Sequence, residues 1–543
     1  MKRDARIISI ALMSGIWTLL SFCAAPVVAQ NEHVITEKSN IRGGFVVHVG
    51  CGDGTLIAEL GRNDQYVIQG LQSDPQKIEK ARQIIRATGK YGRLSIKHWQ
   101  GAALPYAENL VNLLIVDDDK TTVSAGEIER ALAPRGMAII GKGLRIPGLD
   151  TKPFTPGYSA YTKPVPKEID DWPHFLYGSN NNAVSRDMLA GPPQHMQWVC
   201  GPPYARSHEI NSSMAAMISA GGRIFYIWDE GPLGQPEKRF PSQWSLIARD
   251  GFNGLLLWKI PMPNWGWRQW HAESRWDNPR QRAAMLRQLP KTTTRRLVAT
   301  DDRLYATLGY EAAVSVLDAA TGDSVRTLEG TEGADEILLD SGQLILCIRE
   351  TDRTHVNPKH DFRLSQNPGT ILAVDPRTGK ILWQSKPDMI SPVTLAIRND
   401  RIYYAKSGQV VCLDRANGRQ LWESERVKGG GPKGTLVAHD KVVLYAYGPV
   451  TQVVEKRDYQ SIRYHQAHAF SVETGDKLWS SPPYRGPSGH AQDIFIINGL
   501  AWFGVNDKDN LPDHWKDTTT QRVGYDLLTG RPKRKVSVPK LTS

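Results

Sequence analysis

The residues best suited to chemistry lie in a glycine-rich loop, Gly50-Cys-Gly-Asp-Gly54. The loop follows an apolar run that starts at Phe45 and precedes a segment that is typical of a helix start. Glycine lets the backbone approach a ligand closely, and the free N–H groups at a helix start attract anionic or polar groups. The pattern therefore predicts a phosphate- or nucleotide-binding loop that uses Gly50, Gly52, Asp53 and Gly54. Its spacing is G-x-G-x-G, which differs from the dinucleotide pattern G-x-G-x-x-G because Thr55 occupies the last place.

The elements around this loop alternate between strands and helices. Apolar runs predict five strands, and segments of helical character separate them; the strands are expected at residues 45–50, 66–71, 94–99, 111–116 and 136–140. Such alternation favours a parallel sheet with right-handed crossovers, here over residues 41–145. Ligands bind at the carboxyl ends of such strands. Gln72 ends the second strand and Asp117 ends the fourth, so both are candidate cofactor-binding residues.

The run Val-His-Val-Gly-Cys-Gly-Asp-Gly, followed by this order of elements, resembles the core of class I S-adenosylmethionine-dependent methyltransferases. The resemblance covers about 100 residues. It implies that the glycine loop approaches the methionine part of S-adenosylmethionine. It also implies an acidic residue at the end of the second strand that holds the ribose hydroxyls. Here Gln72 stands at that position, and Asp74 follows two residues later.

The sequence beyond the fifth strand departs from the family. Prolines at 147, 153, 156, 164 and 166 predict a linker over residues 146–170, so the sheet is expected to stop at five strands. The family adds a β-hairpin here and builds the acceptor pocket from insertions. No residue is placed as a catalytic base or acceptor clamp. His48, inside the first strand, is expected to be a core or edge histidine.

A repeated pattern, A-x-D-x-x-[TN]-G-x-x-x-W, organises the rest of the chain. It predicts a strand, a tight turn capped by Asp and closed by a left-handed Gly, and a second strand that ends in Trp. Ser471 replaces Asp in the last full copy, and Arg326 and Arg534 replace Trp in the two degenerate copies. The copies are Ala248–Trp258, Ala373–Trp383, Cys412–Trp422 and Ala469–Trp479, with degenerate copies starting at Asp318 and Asp526.

Six copies of one hairpin are typical of a repeat architecture. The pattern resembles the tryptophan-docking repeat of PQQ-type quinoprotein β-propellers, over about residues 171–543. The alternative is a β-sandwich. Six turns fall short of the eight blades of the quinoprotein type, so the ring is expected to be incomplete, or smaller and closed by residues 172–200. Bound PQQ is not expected, because the chain has no adjacent cysteines and no recognisable calcium ligands; no metal site is predicted.

The amino terminus predicts export. Lys2, Arg3 and Arg6 precede an apolar run, and Val27-Val-Ala29 fits a signal-peptide cleavage site after residue 29. The alternative is an uncleaved leader that anchors the protein to a membrane. The expected location is the periplasm or cell envelope. The net charge of +11 suits an anionic partner, but no nucleic-acid-binding motif accompanies it, so a nucleic-acid partner is not expected.

These features leave three functions open. The first is an exported binding or scaffold protein, in which an unidentified protein or small molecule binds the propeller. The second is an active S-adenosylmethionine-dependent methyltransferase whose propeller presents the substrate. The third is a quinone-dependent oxidoreductase. S-adenosylmethionine is made in the cytoplasm, so export favours the first.

Overall fold

The computed structural model describes residues 35, 37–118, 120–141, 143–191, 196–201, 213–231, 242–266, 269, 290–350, 368–429, 434–454, 461–485, 494–503 and 520–538. The predicted leader, residues 1–29, lies outside the described residues. Within these ranges, none of the helices is both long and apolar enough to cross a membrane.

The first domain is a seven-stranded sheet with helices packed against it, in the order β3-β2-β1-β4-β5-β7-β6. Strands β1 to β5 are parallel, as predicted. Apolar residues cover both faces of the sheet, which is why its strands are nearly continuous apolar runs. The elements are β1 (Gly44–Val49), α1 (Thr55–Leu60), β2 (Tyr66–Gln72), α2 (Pro75–Ala87), β3 (Leu94–His98), β4 (Val111–Val116), α3 (Ala125–Ala131), β5 (Leu132–Ile140), β6 (Lys152–Thr155) and β7 (Tyr158–Thr162).

The prediction that the sheet stops at five strands is wrong. Strands β6 and β7 form an antiparallel hairpin that pairs with β5 inside the segment predicted to be a linker. Pro153 is tolerated because β6 is the outer strand, where a missing N–H group breaks no bond of the sheet interior. Pro156 and Gly157 form the turn of the hairpin, and Gly157 has φ 89°. The domain therefore follows the methyltransferase-like pattern beyond its fifth strand.

The second domain contains six antiparallel sheets of sequential strands, here called blades A to F. Each blade has four strands, and blade E carries a fifth, β28 (Tyr484–Arg485). Blade A is β8 (Met214–Ala220), β9 (Arg223–Asp229), β10 (Trp244–Asp250) and β11 (Leu256–Pro261); B is β12 (Leu297–Ala299), β13 (Arg303–Thr307), β14 (Val314–Asp318) and β15 (Ser324–Leu328); C is β16 (Glu336–Asp340), β17 (Gln343–Arg349), β18 (Gly369–Val374) and β19 (Ile381–Ser385); D is β20 (Ala396–Arg398), β21 (Arg401–Lys406), β22 (Gln409–Asp414) and β23 (Gln420–Glu423); E is β24 (Gly434–Ala438), β25 (Val442–Val454), β26 (Ser461–Ser471) and β27 (Lys477–Ser480); F is β29 (Phe495–Ile497), β30 (Leu500–Trp502), β31 (Thr520–Asp526) and β32 (Pro532–Val538).

The blades pack face to face in chain order. Five apolar clusters of the described residues lie between consecutive blades, from the pair A and B to the pair E and F. This radial packing confirms the propeller and excludes the sandwich, in which two sheets share one core.

The repeated Trp joins each blade to the next. Its indole N–H donates to a carbonyl oxygen in the next blade's turn, as Trp383 does to Arg415 at 2.8 Å. Its ring covers the turn glycine, so a Cβ on Gly418 would lie 2.4 Å from the Trp383 ring. Trp258, Trp422 and Trp479 repeat this bond to Ala319, Val472 and Leu527. Where Arg326 replaces Trp, its guanidinium donates to the Thr378 carbonyl oxygen of blade C.

The turn of blade A is covered from outside the repeats. The indole N–H of Trp198 donates to the Gly251 carbonyl oxygen at 3.2 Å, and its ring lies over Gly254. Trp198, from the 172–200 segment, therefore supplies the docking tryptophan of the first blade.

One stretch, residues 172–182, bonds the inner strands of all six blades, and we call it the axial segment. It bonds the last or next-to-last residue of each inner strand, and these residues are Ser219, Ala299, Leu339, Ile397, Ala438 and Ile496. Most of these bonds are backbone to backbone, and His174 and Asn182 supply the others through their side chains. The axial segment thus connects blade A to blade F across one end of the propeller.

Candidate functional site

The strand order brings the predicted cofactor residues to one edge of the first sheet. Strands β2, β1 and β4 are parallel neighbours, so the residues after their carboxyl ends lie side by side. These are the glycine loop after β1, Gln72 at the end of β2 and Asp117 after β4. The crevice between β1 and β4, where the strand order reverses, is where such sheets bind ligands.

The glycine loop takes a conformation that needs glycine. Gly50, Gly52 and Gly54 have φ values of 74°, 55° and 80°, in the left-handed region. A Cβ on Gly50 would lie 2.7 Å from the backbone nitrogen of Asp118, and one on Gly54 would lie 2.9 Å from Ala81. Gly52 has no atom within 4 Å of its Cβ position. Gly50 and Gly54 therefore pack the loop onto the domain, and Gly52 is the glycine whose face is open to a ligand.

Asp53 fastens the loop to the start of α1. One carboxylate oxygen accepts from the Thr55 hydroxyl at 2.8 Å and from its N–H at 3.2 Å, and the other lies 3.4 Å from the Lys80 ammonium. These contacts, chiefly the Thr55 hydroxyl bond, lower the pKa of Asp53. The carboxylate is thus used within the loop, since Gly54, which precedes α1, has no side chain to cap the helix.

The polar groups after β2 also bond within their own loop. The side-chain carbonyl oxygen of Gln72 accepts from the N–H groups of Ser73 at 2.9 Å and Asp74 at 3.2 Å. Asp74 caps α2 by accepting from Gln76 and Lys77. The amide NH₂ of Gln72 is the group left to meet a ligand hydroxyl, and it carries no charge.

Asp117 pairs with the histidine of the first strand. The His48 Nε2 atom lies 2.9 Å from one Asp117 oxygen, and the imidazole is 4% exposed. The other oxygen lies against Gly141, where a Cβ would approach it to 2.4 Å. Tyr158 of β7 is close enough that Asp117 adds to the rise in its pKa, which burial chiefly causes. Sequence reasoning missed this pair because His48 and Asp117 are 69 residues apart, and only the pairing of β1 with β4 brings the two side chains together.

The other side chains at this edge that could take part in chemistry are Cys51 and the aspartates that follow Asp117. Burial raises the pKa of the Cys51 thiol to about 12, so the thiolate needed for nucleophilic attack is scarce at neutral pH. Asp118 bonds the N–H of Lys120 within its own turn. Asp119 lies outside the described residues.

The opposite edge of the sheet is docked on blade A. The Asn112 amide donates to the Asp250 carboxylate at 2.7 Å and accepts from Phe45 and Asn253, each at 2.7 Å. Asn253 also donates to the carbonyl oxygen of Leu110. Phe45 and Asn112 lie at the amino-terminal ends of β1 and β4, so this edge faces the propeller.

A second contact joins the same edge to blade B. Arg135, near the start of β5, pairs with Asp301 at 2.7 Å, and Arg223 of blade A donates to the Asp301 backbone at 3.1 Å. Gln197 bridges the carbonyl oxygens of Glu108 and Phe252. The turns at 250–254 and 300–302 belong to the propeller end crossed by the axial segment, which we call the docked face; the other end is the distal face.

The family model described as outer membrane protein assembly factor BamB, a PQQ repeat model, matches residues 367–495. A comparison with curated proteins returned no match.

Solved structures resemble parts of the chain at low identity. A Methanococcus maripaludis protein provisionally assigned as an S-adenosyl-L-methionine-dependent methyltransferase is 18% identical over 26% of this chain and 88% of its own, with a TM-score of 0.23. BamB from Moraxella catarrhalis is 16% identical over 45% of this chain and 63% of its own, with a TM-score of 0.27. A Thiobacillus denitrificans methyltransferase in complex with S-adenosyl-L-homocysteine is 19% identical over 20% of this chain and 48% of its own, with a TM-score of 0.18.

The strand order of the first domain and the repeat match lead to one description. The chain joins a methyltransferase-like α/β domain to a PQQ-type β-propeller.

Proposed function

We propose that this protein is an exported binding or scaffold protein whose propeller is the binding part. In this proposal the α/β domain keeps the shape of a nucleoside-binding domain but does not carry out a methyl transfer. The observation that supports it best is the direction in which the two domains are joined. The propeller holds the amino-terminal edge of the sheet, through Asn112 and Arg135, whereas the glycine loop lies at the carboxyl edge.

Because the propeller holds the amino-terminal edge of the sheet, the crevice at the carboxyl edge lies away from the propeller. Strands β1 and β4 each have six residues, so with a rise of about 3.3 Å per residue the two edges are roughly 20 Å apart. A methyl group moves only between atoms in contact, because reacting atoms must approach to about 3–3.5 Å. A substrate held on the docked blades is out of reach of the glycine loop.

The residues present fit S-adenosylmethionine only in part. The open face of Gly52 suits a close backbone approach by a ligand. The ribose side fits less well, because the Gln72 oxygen and one Asp74 oxygen already accept backbone N–H groups, which leaves the Gln72 amide NH₂ to bond a hydroxyl. A neutral amide also holds a hydroxyl less strongly than a carboxylate does. We therefore derive no methyl-transfer step.

Titration and a transfer assay on the full-length chain test this proposal. We expect weak or absent heat of binding with S-adenosylmethionine and no transfer of labelled methyl to envelope proteins or small acceptors. Gly52→Asn fills the open space with a residue that tolerates φ 55°, and Gly89→Asn makes the same exchange at φ 71° on the same domain, where no atom lies within 4 Å. Micromolar binding together with methyl transfer, both lost in Gly52→Asn and kept in Gly89→Asn, would contradict the proposal.

The same open face is the observation that favours the second candidate, an active methyltransferase. That enzyme would need an acceptor bound at the free carboxyl edge, beside Asp117 and Tyr158, and access to cytoplasmic cofactor. Fractionation of cells that express a carboxyl-terminally tagged protein separates the two candidates. Recovery in the envelope fraction supports the binding role, and recovery of an active enzyme in the cytoplasm supports catalysis.

A further inference from the structure

The outer strand of blade F carries an exposed basic run. Strand β32 is the last strand of its sheet, so among the described strands its outer edge has no pairing partner. Three consecutive cations lie within β32 and a fourth directly precedes it, and all four side chains are exposed: Arg531, Lys533, Arg534 and Lys535. The backbone N–H and C=O groups at such an edge can pair with another extended chain.

The outer strands of the other blades hold no such run. Lys259 of blade A pairs with Glu230, and Lys477 of blade E pairs with Glu425. Strand β15 contains one cation, Arg326, which bonds blade C, and strands β19 and β23 contain neither Lys nor Arg. Blade F therefore differs from the other blades in the number of cations on its outer strand.

Arg534 occupies the docking position of the repeat. It lies opposite Gly524 of β31, in the register that places Arg326 opposite the third strand of blade B. Arg326 uses this position to donate to the Thr378 carbonyl oxygen of the next blade at 3.1 Å. The turn of blade A is covered by Trp198 instead. The Arg534 guanidinium is thus exposed at a position that in the other blades bonds a neighbouring turn.

One carboxylate lies near the run, and it caps its own turn. An Asp526 oxygen accepts from the N–H groups of Leu528 and Thr529 and from the Thr529 hydroxyl. The bonds from Thr529 chiefly lower the pKa of Asp526, and Lys533 adds to the effect. Over the described part of the chain, none of the four cations is within ion-pair distance of a carboxylate.

The cations reach both faces of the strand. Lys535 lies opposite Val523, which packs on the apolar cluster between blades E and F. Arg534 lies opposite Gly524, so it points to the other face, away from blade E. A flat anionic lipid surface would meet one face at a time. An extended peptide along the edge has side chains on both faces, so acidic residues in it can pair with both sets of cations.

We propose that β32 pairs edge to edge with an extended acidic segment of a partner protein, so that Asp and Glu side chains of that segment meet Lys533, Arg534 and Lys535. Main-chain hydrogen bonds would supply affinity, and the charges would select an acidic partner and speed its approach. The inference rests on the proposed binding role of the propeller and names the surface and the class of partner.

The test measures binding of labelled peptides to the full-length protein by fluorescence anisotropy. The probe is a peptide of Glu-Glu-Thr-Thr repeats, long enough to cover the seven residues of β32. Each Glu-Glu step places one carboxylate on each face of a strand. A companion peptide of Glu-Glu-Pro-Pro repeats has the same charge but lacks N–H groups in either register. We expect the first peptide to bind, with an affinity that falls as salt is raised, and the second to bind at least about tenfold more weakly.

Two sets of substitutions locate the surface. The combined variant Lys533→Gln, Arg534→Gln and Lys535→Gln is expected to weaken binding of the first peptide by about tenfold. The matched control removes three exposed cations of blade C, through Arg377→Gln, Lys380→Gln and Lys386→Gln, and should change the affinity by less than about twofold. All six side chains are exposed, and an unchanged thermal midpoint establishes that both variants are folded.

Four outcomes would overturn the inference: no binding of the first peptide, equal binding of the proline peptide, equal losses in the two variants, or binding to phosphatidylglycerol vesicles without binding to the peptide. Failure here is distinct from failure of the proposed function. The methyl-transfer assay reports on the crevice at Gly52, and an inactive crevice is compatible with either result at blade F.

Discussion

Asn181 is the residue of the axial segment whose loss should weaken the propeller most. Its amide makes three buried bonds: two donated to blades D and E at 3.0 Å, and one accepted from the Arg295 guanidinium at 2.6 Å. Arg295 is itself 2% exposed and pairs with Glu336 at 3.1 Å. If the Asn181 amide were removed, water could take its place as a bonding partner only by entering this buried site.

We predict that Asn181→Gly lowers the free energy of unfolding by about 2–5 kcal/mol. The Leu436 carbonyl oxygen left unsatisfied costs about 1–2 kcal/mol and the guanidinium up to about 3 kcal/mol. The Leu395 carbonyl oxygen keeps a bond from Arg295 at 2.6 Å, so it adds little. Glycine is chosen because Asn181 has φ 63°, so the substitution removes the bonds without adding backbone strain. Asn181→Ala should cost about 1 kcal/mol more, because alanine resists this conformation.

Chemical denaturation combined with hydrogen exchange measures the effect. Exchange is needed because a two-domain chain need not unfold in one step. Protection should fall first in β24, which contains Leu436, and in β20, which follows Leu395. The control is Asn498→Gly, the same exchange at φ 51° in an exposed turn, which should change stability by less than about 0.5 kcal/mol. If Asn181→Gly also changes the free energy of unfolding by less than about 0.5 kcal/mol, the axial segment does not hold the blades together.

Three further predictions concern the first domain, its junction and a surface ion pair. Gly50→Ala should destabilise the α/β domain by at least about 2 kcal/mol in thermal denaturation, because the new Cβ would lie 2.7 Å from the backbone nitrogen of Asp118. Gly52→Ala should cost only the backbone strain of about 1–2 kcal/mol. Equal losses of stability in the two variants would contradict the packing role of Gly50. Asn112→Ala removes bonds to both domains, so it should destabilise the α/β domain by about 2–4 kcal/mol and also lower the calorimetric transition of the propeller; a variant in which neither transition moves would refute the junction. A hydrogen bond from Arg398 lowers the pKa of Asp440 from 3.8 to about 2. Asp440→Asn should therefore lower the free energy of unfolding by at most about 1 kcal/mol above pH 3.8, and the difference between variant and wild type should vanish as pH falls through 2. A loss of stability that persists below pH 2 would exclude this ion pair as its cause.

The parts of the fold that follow local rules could be predicted from the sequence. The blade turn is one: Asp375 caps it through the N–H of Arg377, and Gly379 closes it at φ 78°, both within five residues of chain. The glycine loop is another, since its conformation follows from its own residues. Trp198, in contrast, docks on Gly254 from 56 residues away and belongs to no repeat, so its spacing carried no signal.

The missed hairpin shows how a composition rule can mislead. Its prolines indicated a linker, but the segment Phe154-Thr-Pro-Gly-Tyr158 also contains a Pro-Gly turn between residues suited to strands. Whether Pro153 interrupts a strand depends on whether that strand lies at an edge, and only the assembled sheet decides this. The partners of Gln72 and Asp117 were hidden for a related reason: sequence indicates which groups can bond a ligand, but not which are already bonded to the protein.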